Sequence, residues 1–377
     1  IIHMISCTKS LRDAFEISTG SSTSASASGG LNSSKKPKSS IHYQLYQPML
    51  NGILALLGKM LMDSFTYESK VTETAAFTAA YGLLGRHVLN LFPEMATKKH
   101  KTSGKMLIHH AVFKARPEVA EETVGLILKV SPSSSRAEDA SGALPLHWAT
   151  RNPEVSFEMI DMLIKAYPEA PSKTDNKGFL PLHWAVNQDT PNVEVVRKLI
   201  KIFPAGAGMP SLSGNLPLHY CVSRARPSIP VIKALITAYP EAIRSGCEEG
   251  YLPLHRYLYR PIVDLDALRL LINYFPDSLL AKSNRNQTPL HVALDHHTPD
   301  ALAVELLLDM CPTAVSVPDS DQYLPLHLCL DCAEPNYALA MQLLTRNPAS
   351  AVQPTKDGMY PLHLLVGSNS DPTYEHM

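Results

Sequence analysis

The chain has almost no net charge. Its 34 lysines and arginines face 35 aspartates and glutamates. That balance argues against a dedicated nucleic-acid or membrane-surface binder, both of which need net positive charge. Long apolar runs are missing too. None reaches the roughly 18 residues that span a bilayer, and the longest, 53–62, is interrupted by Gly58 and Lys59. The six cysteines have no small-domain spacing, so reduced thiols in an intracellular chain fit best. The cytoplasm is the expected compartment, with the nucleus as the alternative. Catalytic signatures are also absent. There is no Gly-x-Ser-x-Gly, no phosphate-cradling Gly-x-x-x-x-Gly-Lys and no nucleophile–base constellation. Nor does the sequence show an aromatic–basic stripe of the kind carried by single-strand nucleic-acid readers.

What the chain does have is a fixed period. His147, His183, His219, His255, His291, His327 and His363 stand 36 residues apart. Each closes the phrase Leu-Pro-Leu-His or a close variant, such as Thr288-Pro289-Leu290-His291. Pro132, Pro168, Pro204, Pro240, Pro276, Pro312 and Pro348 form a second ladder with the same spacing. A period of this size marks a repeat solenoid, in which each unit packs only on its neighbours. Most of the 30 prolines occupy fixed places in the repeat, so proline here is architecture rather than a sign of disorder.

Residues 1–41 are rich in Ser and Thr and poor in apolar side chains, so a disordered tail is expected. Lys35-Lys36-Pro37-Lys38 reads as a solvated linker, with nuclear import as the sharper alternative. Residues 42–100 carry two helical patterns and end in Leu91-Phe92-Pro93-Glu94, which matches Ala166-Tyr167-Pro168-Glu169. This segment is expected to be a helical cap or degenerate first repeat. The solenoid proper runs over 101–377. The chain begins at Ile1 and stops inside a repeat, so it is expected to be a piece of a longer protein whose last repeat is truncated.

Each unit reads alike. Gly142, Gly178, Gly214, Gly250 or Gly358 stands five residues before the histidine, with Asn286 and Gln322 in the other two slots. Glycine accepts the positive φ of a tight turn, Asn less easily, and Gln322 is a mild misfit. The motif proline opens helix A, at a position where its missing N–H is not needed. A second proline, as in Pro153, Pro191, Pro227 and Pro299, is expected to open helix B, with Asn152, Thr190, Thr298 and Asp371 as N-caps. Helix B is amphipathic, and the third proline stops it.

A glycine turn, Pro-Leu-His-x-Ala at Ala149, Ala185 and Ala293, and a second helix with an apolar pair such as Leu199-Ile200 together resemble the ankyrin repeat. The resemblance implies an all-α helix-turn-helix solenoid of about eight repeats that binds another protein on its concave face. The departures are specific. The period is 36 against the family's roughly 33. The family's threonine before Pro-Leu-His survives only at Thr288, and is mostly leucine elsewhere. Leucine cannot cap a helix with its side chain, so it is expected to pack between repeats.

The histidine ladder invites a metal reading. Packed helices stand about 8–10 Å apart and a zinc–nitrogen bond is about 2.0–2.1 Å, so equivalent histidines cannot share an ion. They are expected to be structural, tying adjacent hairpins. His109-His110 and His296-His297 lack companion ligands, and Cys329-x-x-Cys332 has no second pair. No metal and no cofactor is therefore expected.

The resemblance implies that hairpin tips and the ends of helix A face the partner. Here the tips are Asn176, Lys177, Phe179, Glu248, Glu249, Tyr251, Arg285, Asp321 and Tyr323. The helix ends include Arg151, Asn187, Gln188, Arg224, Tyr259 and Arg260. Exposed Tyr and Arg are the residue types that most often anchor interfaces. The expected function is a non-catalytic protein-binding scaffold or adaptor. It would have a protein partner, no nucleic acid, no membrane span and no small-molecule substrate. The alternative is a regulatory or targeting segment of a larger enzyme or membrane protein.

Overall fold

The computed structural model describes residues 89, 93–114, 117–260, 262–295, 299–331 and 336–368. The expected tail, most of the segment 42–100, His296-His297, Cys332 and Asp371-Pro372 lie outside the described residues.

Among the described residues there are fifteen α-helices and no strand. They come as helix A and helix B pairs: Leu107–Lys114 with Pro117–Val130, Pro145–Arg151 with Phe157–Ala166, Pro181–Val186 with Val193–Ile202, and Pro217–Val222 with Ile229–Ala238. Pro253–Leu258 with Leu265–Tyr274, Pro289–Leu294 with Ala301–Met310, and Pro325–Leu330 with Tyr337–Arg346 follow. Pro361–Ser368 is the eighth helix A. Consecutive A helices pack on each other along the whole stack, while most consecutive B helices meet at fewer points. The A row therefore forms the inner side of the stack.

Helix A is short because its start is pinned. The leucine before the motif proline is extended, as at Leu180 (φ −75°, ψ 161°), since a proline disfavours the α region for its predecessor. That leucine is buried, at 2% exposure for Leu144 and 0% for Leu180. A methyl carbon of Leu180 reaches within 3.3 Å of where a side chain on Gly206, in the turn that closes the same unit, would begin. The leucine is thus buried against the turn that closes its own unit, and the cap it cannot supply comes from the histidine, whose Nδ1 accepts the leucine N–H.

Helix B starts later than the proline pattern suggests. Pro153, Pro191, Pro227 and Pro299 precede the helices that begin at Phe157, Val193, Ile229 and Ala301. Among the described second prolines, Pro117 alone opens a helix B directly. The residues that cap with their side chains are Ser156, Asn192, Asp264, Asp300 and Asn336, so the expected caps Asn152 and Thr190 are corrected, while Thr298 lies outside the described residues. Proline's fixed φ shapes the A-to-B connection, and a short polar side chain closer to the helix satisfies the free N–H groups. The inner stripe of helix B is apolar, as with Val195, Val196 and Leu199. Each such burial contributes about 1.5–3 kcal/mol.

The third proline does more than stop helix B. It opens a short 3₁₀ turn, as at Pro204–Gly208 and Pro276–Leu280. Pro93–Thr97 makes the same turn. Between units, backbone N–H groups at the hairpin tips donate to carbonyls of the preceding tip. Asn176 bonds Ser141 (2.9 Å), Leu212 bonds Lys177 (3.0 Å) and Asn284 bonds Glu249 (3.0 Å). This close approach explains Gly178: its φ is +75°, and a Cβ there would sit 2.8 Å from the Leu212 nitrogen. Gln322 takes the same backbone form with φ +62°.

Candidate partner-binding face

The motif histidines use both ring nitrogens. In His255, Nδ1 accepts the N–H of Leu252 at 3.1 Å and Nε2 faces the carbonyl of Gln287 at 3.1 Å in the next unit. A backbone N–H must donate, so Nδ1 is the acceptor and Nε2 carries the proton. His147, His219 and His291 repeat this pattern to the carbonyls of Phe179, Tyr251 and Tyr323. His109 bonds Ala137 and Ala143 in the same way, and His327 bonds Gln353. Two rungs differ. The buried Nε2 of His183 has no partner at normal hydrogen-bond geometry, and the Asn215 and Met209 carbonyls act on it from longer range. His363 accepts the Tyr360 N–H but is exposed.

Burial drives the histidines toward the neutral form. It lowers His183, His219 and His255 to about 4, and lowers His109, His147, His291 and His327 as well. Protonation would also set an Nδ1–H against a backbone N–H. These rings are ties between hairpins, with no lone pair left for a ligand. Among the described residues no group of three or more His, Cys, Asp or Glu is arranged to hold a metal. Cys329 is buried at the helix packing.

The residue after the motif histidine lies on the inner face, and sequence reading passed over it. Trp148, Trp184, Tyr220 and Arg256 occupy this slot. Trp148 donates Nε1–H to Asp139 at 3.0 Å, and Trp184 does the same to Asp175 at 3.1 Å. The Tyr220 hydroxyl meets Ser211 and Ser213 instead. Burial pushes the Asp139 carboxyl up, but hydrogen bonds from Ser141, Ala143 and Trp148 outweigh it and hold the group below its ordinary value.

These rings meet across units. Phe113 stands edge-on to Trp148 (centroids 5.1 Å apart), and Phe179 stands edge-on to Trp184 (5.3 Å) and Tyr220 (5.1 Å). Arg151 lies over Trp148 at 5.3 Å and Trp184 at 5.0 Å, and Lys105 lies over Trp148 at 3.5 Å. Stacking thus brings aromatic and basic side chains together, with cations lying over the rings rather than leaving them open to bases. The cluster escaped the sequence because its members are a repeat apart. Two tryptophans in the same slot, 36 residues apart, were the available signal.

The other candidates divide by what they touch. Glu248, Glu249, Tyr251, Tyr259 and Arg285 line one cleft with Arg256 and Asn284, about 410 Å³ in volume. Within it Arg256 pairs with Glu249 at 2.9 Å, and the Tyr251 hydroxyl donates to Gln287 at 2.8 Å. Asn176 reaches back to the Ala140 carbonyl, Gln188 bonds the Trp184 carbonyl, and Asp321 pairs loosely with Lys356. Lys177 projects at its exposed tip. Tyr323 is half-buried against His327. Asn187 and Arg224 each bury one polar atom without a partner. Arg260 is spent inside the fold, donating to the carbonyls of Val222, Arg224, Ala225 and Tyr257.

No helix among the described residues is long and apolar enough to cross a membrane. Residues 146–242 match the family of ankyrin repeats, in three copies. No curated protein matches the chain.

Proposed function

Because the chain is an ankyrin-repeat protein, we propose that it is a non-catalytic scaffold or adaptor that grips a protein partner on the inner face formed by its hairpin tips and A helices. Ankyrin repeats are generally protein–protein interaction modules. The observation that carries the reading is convergence. Glu248, Glu249, Tyr251, Tyr259 and Arg285, drawn from two units, surround a single cleft. Charged and aromatic groups around a concave site are the usual anchors of an interface. The motif histidines, the residues best suited to acid–base work, are already engaged in the stack.

The test is affinity capture with the whole chain and with a Glu248→Lys/Arg285→Glu variant. Both positions are exposed, so the melt should stay where it is while the captured partner is lost. Tyr251→Ala is a poorer probe, because it strands Gln287. A partner retained by the double variant would place binding off this cleft.

A further inference from the structure

The Arg151 guanidinium is held in place without using its donors. Three rings from successive units surround it: Trp148 at 5.3 Å, Trp184 at 5.0 Å and Phe113 at 5.7 Å. Yet it is exposed and makes no hydrogen bond or ion pair among the described residues. Stacking on aromatic faces restricts the long side chain beforehand, and a planar guanidinium presents N–H groups in a fork that matches a carboxylate. The nearby tips present exposed Lys99, Lys101 and Lys177 against an exposed Glu138, while the carboxylates of Asp139 and Asp175 are buried, turned inward onto the indoles and tip amides.

We propose that this face docks an acidic segment of a protein partner, with a carboxylate forked on Arg151. The proposal rests on the interaction reading above and specifies the partner's chemistry. A peptide fits better than single-stranded nucleic acid. Base stacking needs an open ring face, and here Lys105 and Arg151 lie over Trp148 while Arg151 lies over Trp184.

The chain has two tryptophans, Trp148 and Trp184, so its intrinsic tryptophan fluorescence reports on this site alone. The whole chain is titrated with an end-blocked peptide of alternating Asp and Glu, and with its Asn/Gln counterpart. The acidic peptide should give a saturable change that weakens with added salt, and the neutral peptide should give none. Arg151→Ala should lower the affinity about tenfold or more, as expected for loss of a charge-assisted bond. Arg151→Lys, which keeps charge and loses the fork, should fall between. Both variants should melt like the parent. A flat titration, equal binding of the neutral peptide, or an unchanged affinity in Arg151→Ala overturns the proposal. So does preferential binding of oligothymidylate or of a phosphoserine peptide. If the acidic peptide fails while the Glu248→Lys/Arg285→Glu variant still loses a captured partner, the interaction reading stands and this one falls.

Discussion

Trp184 and Asp175 are joined across the hairpin tip, the indole Nε1–H donating to Oδ2 at 3.1 Å. The other carboxylate oxygen accepts the N–H groups of Lys177 and Phe179, both at 2.9 Å. One aspartate thus shapes the tip and aims the ring that follows the motif histidine. Loop and helix change together: Tyr220 faces Ser211 and Ser213, and Arg256 faces Glu249.

Asp175→Ala should therefore loosen the tip and release the indole at once. Stranding these donors is expected to cost about 1–3 kcal/mol, read as a lowered thermal midpoint. Tryptophan emission should shift to the red as the ring meets water. A midpoint and a spectrum both equal to the parent's would show that the tip holds itself without the carboxylate.

His255→Ala removes a donor and an acceptor in one step, leaving the Leu252 N–H and the Gln287 carbonyl unpaired inside the stack. A loss of about 1–3 kcal/mol is expected from denaturant melts. His363→Ala is the internal control. It changes the same motif position at an exposed ring with one bond, and should cost a few tenths of a kcal/mol. Equal effects from the two would refute the tie between hairpins as the ladder's role.

Stability should fall on mild acidification. Burial lowers His183, His219 and His255 to about 4, against an unfolded value of about 6.5. Between those limits the unfolded chain binds more protons, so the unfolding free energy rises with pH. The contribution is fully present above about pH 6.5 and is lost as pH falls toward 4. It amounts to a ceiling on the order of 3 kcal/mol for each ring. Chemical melts at pH 7.5, 6 and 5 should step downward, and His255→Ala should flatten the profile. A flat profile in the parent would mean that the rings are not held neutral by burial.

The sequence by itself determined the repeat, its length, the start of helix A, the positive-φ turn and the structural duty of most motif histidines. These rest on local backbone rules, since proline sets φ, glycine permits φ above zero and apolar spacing selects a helix face. Tertiary structure decided the rest. Trp148, Trp184 and Arg151 become one site only when units stack, because residues a repeat apart have no local reason to meet. Arg260 and Arg285 look alike in sequence, yet the first is pinned by carbonyls of the preceding unit and the second stays exposed at a tip. Which polar groups remain open to a partner depends on which carbonyls the neighbouring unit presents, and packing alone fixes that.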